Sequence, residues 1–61
     1  MLDIKEITNK DIGRRVIYYS FNNKEIGVIT SFNDCYIFVR YGGDVHSKAT
    51  YPEDLVFEVN V

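Results

Sequence analysis

Three side chains in the second half of the sequence are of the types that nucleophilic catalysis uses: Cys35 as thiol, His46 as base and Asp44 as the group that orients the imidazole. Covalent chemistry of this kind needs the base within hydrogen-bond reach of the sulfur. The surrounding pattern places Cys35 at a hairpin tip and His46 in the next loop, toward opposite ends of the strand between them. Groups so separated cannot share a proton, so a turn residue, a surface histidine and no enzyme are expected. One histidine and one cysteine, with no Cys or His pairing at ligand spacing, leave a metal site short of donors, and no cofactor is expected. Glu53 and Asp54 offer two carboxylates, but they follow Pro52 in what reads as one helical turn, where acids complement the turn's dipole. Tyr41-Gly42-Gly43-Asp44 lacks the lysine and the following long helix of a phosphate-binding loop, and its glycines read as turn formers.

A binding chemistry is easier to assemble. Arg14, Arg15 and Arg40 with Tyr19, Tyr36 and Phe38 are the ingredients of a platform on which single-stranded nucleic acid stacks. Against it stand seven basic and nine acidic residues, a formal net charge of −2, and the lack of a basic stripe. The same aromatic residues suit recognition of a protein, by strand addition to an open sheet edge or in a groove lined by Tyr and Phe.

The elements that must carry these side chains are short. Sixty-one residues make one domain (1–61), near the lower limit at which a chain buries enough surface to fold alone, so self-association is a live expectation. Residues 1–13 are irregular, with Leu2, Ile4 and Ile7 as apolar points, Thr8 and Asp11 as a cap around one short turn, and Gly13 closing it. From Arg14 the composition turns β-branched and aromatic, and strands are predicted over 16–19, 25–32, 36–41, 48–51 and 56–59. Asn33-Asp34 is the strongest hairpin signal, because both residue types tolerate positive φ. Residues 52–55 read as a single helical turn with proline at its first position. Five short strands without a crossover helix bury their apolar faces only against each other, as a small barrel or sandwich. A lone cysteine, no secretory leader and no apolar run of spanning length point to the cytoplasm.

The register of the central hairpin decides which side chains are free to work. A two-residue loop groups Val28, Thr30, Ile37 and Val39; a three-residue loop that includes Cys35 groups Gly27, Ile29, Ser31, Ile37, Val39 and Tyr41. The second is preferred, since Gly27 then sits where a sharp bend leaves no room for a side chain. With Val16, Tyr18, Ala49, Leu55 and Phe57 that set is the predicted core. The other face then carries Arg15, Ile17, Tyr19, Val28, Thr30, Phe32, Tyr36, Phe38 and Arg40, which is more apolar than a half-exposed sheet should be. Either Leu2, Ile4 and Ile7 fold over it, or it is a partner surface anchored by Tyr19, Val28, Phe32, Tyr36, Phe38 and Arg40.

Asp11 to Tyr18, then GVITSFND at 27–34, FVRYGGD at 38–44 and HSKATYPEDL at 46–55, together resemble small SH3-like proteins encoded by bacteriophages and prophages. The resemblance implies an all-β, five-stranded SH3-like barrel with one short helical turn before the last strand, in a bacterial host cell, and no activity. The first loop, 21–24, is short for such proteins, and Tyr19 and Cys35 stand where a charged or polar residue is usual. The expected function is that of a non-catalytic phage accessory protein that binds a host or phage protein, such as an enzyme it modulates. A nucleic-acid-binding barrel and a structural homo-oligomer are the alternatives.

Overall fold

A computed structural model describes residues 1–59. Strands β1 (Arg15–Ser20), β2 (Asn23–Phe32), β3 (Ile37–Tyr41), β4 (Lys48–Thr50) and β5 (Leu55–Phe57) form one antiparallel sheet in the order β4-β3-β2-β1-β5. Three 3-10 turns, Ile4–Glu6, Asn9–Asp11 and Pro52–Asp54, are the other elements among the described residues, where no helix is long and apolar enough to cross a membrane.

The sheet has to curl. Thr50 and Leu55 lie on its two opposite edge strands, yet only residues 51–54 join them. Four strand spacings of about 4.8 Å make a flat sheet about 19 Å wide. Five residue steps reach about 18 Å when fully extended, and less when part of the path winds as a 3-10 turn at about 2 Å per residue. Rolling the sheet brings its edges within reach and encloses Val16, Ile29, Ile37, Val39 and Leu55, each with 0% exposure. Ile7 and Tyr41 complete the buried cluster, and Leu2, Ile4, Tyr18, Phe32 and Phe57 pack against it.

Gly27 is a point of closest approach. A Cβ there would lie 2.5 Å from Val39 Cγ1 and 2.8 Å from the Arg40 carbonyl oxygen, so only glycine lets β2 bend over β3. Opposite Gly27 stands Tyr41, and Ile29 stands opposite Val39, the pairing that a three-residue loop would give.

Toward the hairpin tip the register changes by one residue between Ile29 and Ser31. The turn is the cause. Asn33 Oδ1 accepts from the N–H groups of both Cys35 and Tyr36 at 2.8 Å, and the Asn33 N–H donates to the Tyr36 carbonyl at 3.0 Å. This side-chain-braced turn runs over residues 33–36 with two residues in its loop, and it uses no positive φ, in contrast to the backbone geometry expected of Asn33-Asp34. A two-residue loop at the tip and the Gly27–Tyr41 pairing at the base differ by one residue, and a bulge at Thr30 absorbs the difference. The Thr30 hydroxyl donates to the Phe38 carbonyl across it at 3.2 Å.

Two expected core positions move as a result. Past the bulge the alternation reverses, so Ser31 is exposed while Phe32 turns inward onto the core. Ala49 is exposed and Thr50 buried, because β4 pairs Ala49 with Phe38 and Thr50 with Ile37. A buried threonine is tolerated because its hydroxyl lies 2.8 Å from the Tyr41 hydroxyl.

The N-terminal segment is held by its own caps. Thr8 and Asp11 form a capping box around Asn9–Asp11, and Gly13 takes φ +95° to turn the chain into β1. The Gly13 N–H then donates to the Ile29 carbonyl at 2.8 Å, and the Leu2 N–H donates to the Pro52 carbonyl at 3.0 Å. With both ends tied, Ile7 enters the core, and Leu2 and Ile4 pack beside it.

Candidate protein-interaction surface

Strand alternation decides which side chains share the outer face of the sheet. Ile17 stands opposite Ile26 on one side and Val56 on the other, Val28 lies between Arg15 and Arg40, and Phe38 lies between Ser31 and Ala49. Ile26 is exposed, and Ile17, Val28, Phe38 and Val56 are half-buried. Leu2, Ile4 and Ile7 pack on the buried cluster on the other side of the sheet, so the N-terminal segment does not cover this face.

Of the six residues the sequence singles out, the structure brings Tyr19, Val28, Phe38 and Arg40 to the outer face. Tyr19 is 48% exposed opposite Lys24, and Arg40 is exposed opposite Val28. Tyr36 lies toward the hairpin tip, its ring centroid 5.2 Å from that of Tyr51. The Tyr51 hydroxyl beside it holds the Tyr36 phenol above the usual tyrosine range. Phe32 leaves the set, because the bulge turns it inward. Ile26 and Val56 join it: Ile26 is two residues before Val28 on the same alternation, whereas Val56 is placed by the register of β5 against β1, which sequence spacing does not specify.

The guanidinium groups are not equivalent. Arg14 Nη1 lies 3.1 Å from Asp11 Oδ1, with its guanidinium carbon 3.5 Å from the Phe57 ring centroid, so its charge is spent in closing the N-terminal end. Hydrogen bonds from the Thr8 N–H and from Arg14 hold the Asp11 carboxyl below its ordinary value. Arg15 Nη2 reaches Glu58 Oε2 at 3.2 Å. Among the described residues Arg40 has no ion pair. Two of the three arginines of the nucleic-acid platform are therefore already neutralised.

On the opposite side, where the edges of β4 and β5 do not pair, a groove of about 430 Å³ is lined by Tyr18, Glu25, Tyr41, Lys48, Tyr51 and Asp54 among others. Tyr18 and Tyr41 meet edge to face at 6.0 Å in its floor. Burial, together with the charges of Glu25 and Asp54, pushes the Tyr41 phenol above its ordinary value, outweighing the hydrogen bond to Thr50 that pulls it down. Cys35 is exposed in the 33–36 turn and His46 is exposed in the loop between β3 and β4, so β3 separates the two. Among the described residues no three His, Cys, Asp or Glu side chains gather as metal ligands would. No family model, curated protein or solved structure matches the chain.

Proposed function

We propose that this chain is a non-catalytic protein-binding module, an SH3-like barrel of the phage accessory kind working in a bacterial cytoplasm, which takes its partner on the outer face of β1, β2 and β3. The connection order supports the barrel reading: a four-strand meander, one 3-10 turn, then a last strand returning beside the first. One observation carries the binding reading. Leu2, Ile4 and Ile7 of the N-terminal segment are committed to the core on the other side, and Ile17, Ile26, Val28, Phe38 and Val56 remain on the outer face as neighbours in the strand registers. Such a surface on a small domain marks a contact site, with Phe38, Tyr19 and Arg40 as the side-chain types that most often anchor one.

The test compares wild type with Phe38→Ser as baits in bacterial lysate, at low and at physiological salt and with nuclease added. A protein retained by wild type through the salt step and lost from a folded Phe38→Ser supports the proposal. Retention that is equal for both baits contradicts it. Nuclease-sensitive binding that weakens steeply with salt favours the nucleic-acid alternative instead.

A further inference from the structure

The two sides of the sheet differ in charge as well as in shape. The outer face carries Arg15 and Arg40 on either side of Val28, and Lys24 opposite Tyr19; Glu58 pairs with Arg15, while Arg40 and Lys24 make no ion pair with any described residue. In the groove on the other side Glu25 and Asp54 make no ion pair with any described residue, and Lys48, which also lines it, pairs with Asp44 at 3.7 Å. Both carboxylates line the groove together with Tyr18 and Tyr41.

A two-fold pairing of outer faces would press two surfaces of the same sign together, which costs free energy wherever the charges lose water. The surface that complements this face joins aromatic walls to unpaired carboxylates. The chain carries such a surface on its own opposite side, where it cannot be reached within one molecule.

We propose that the outer face of one copy docks on the groove of the next, with Arg40 seated between Glu25 and Asp54 against the ring of Tyr18. The inference rests on the outer face being a binding surface, and it names a second copy as the occupant. A guanidinium suits this seat, because it stacks on aromatic faces while its edge donates to carboxylates. The two surfaces are different, so the contact is head-to-tail, and further copies add as a ring or an open filament according to the rotation between neighbours.

Sedimentation equilibrium of the purified chain tests this with charge swaps at two exposed positions, Arg40→Glu and Glu25→Lys, after thermal melts establish that each variant folds. The wild type should associate beyond a dimer as concentration rises, and should weaken roughly tenfold between about 50 and about 300 mM salt. Each single variant should be monomeric at concentrations where the wild type associates. The double variant, which restores the opposite charges with their places exchanged, should recover association. A wild type that stays monomeric to about 1 mM overturns the inference. So does a closed dimer that Glu25→Lys leaves intact, or a double variant no better than the singles. The binding face itself is judged separately: a monomeric wild type that still retains a lysate protein through Phe38 removes only the self-pairing.

Discussion

At the scale of single residues, the chain's shape depends on a few positions where the side chain has no substitute. Gly27 is the clearest. Adding one methyl would place it 2.5 Å from Val39 Cγ1 and 2.8 Å from the Arg40 carbonyl, both parts of a packed strand with no room to retreat. Gly27→Ala should therefore lose about 2–3 kcal/mol by urea denaturation, the upper part of the range for overpacked cores. A loss under about 0.5 kcal/mol, as at an ordinary surface site, would mean that β2 does not bend over β3 there. The need for glycine was legible from sequence, since an isolated glycine in a strand of β-branched residues signals a close approach. The inward Thr50 was not. It depends on a hydroxyl partner, Tyr41, that only the folded register supplies.

At the scale of elements, the strands and their order along the chain follow from alternation and turn chemistry, while two registers do not. The hairpin 33–36 takes its geometry from the Asn33 side chain, and the core takes its register from Gly27. The glycine signal was visible in the sequence; Asn33-Asp34 marked the turn, but as a positive-φ hairpin and not as one braced by the Asn33 side chain. The disagreement of the two by one residue, which places the bulge at Thr30 and sends Phe32 inward, emerges only when both are satisfied in one ladder. The N-terminal segment is a second case: its cap is written in Thr8 and Asp11, but the side of the sheet it covers depends on where Gly13 and Leu2 find carbonyl partners.

That segment also has a pH signature. Asp11 in the folded chain lies below its ordinary value, chiefly through the Thr8 N–H and then through Arg14. A carboxyl depressed in this way contributes stability that is present above the ordinary aspartate range and lost as pH falls through its folded value. Thermal melts of wild type and Asp11→Asn should therefore converge as pH drops below that range and separate above it. A constant gap at every pH would show that the carboxylate plays no part in holding the N-terminal turn.

At the scale of the whole molecule, a 61-residue chain has one thin core and two sides of sheet to dispose of. It spends its N-terminal apolar residues on the inner side, where they complete the buried cluster, and leaves the outer side with an apolar strip between cations. The binding proposal follows from that division, and the division depends on which phenylalanine faces which way. Equilibrium urea unfolding of Phe32→Ser and Phe38→Ser, side by side, measures it directly. Phe32 packs on the core, so its loss should cost about 3 kcal/mol. Phe38 stands half-buried on the outer face, and its loss should cost about 1 kcal/mol or less. A reversed order, or equal large losses, would place Phe38 in the core and remove the surface on which the proposed function rests.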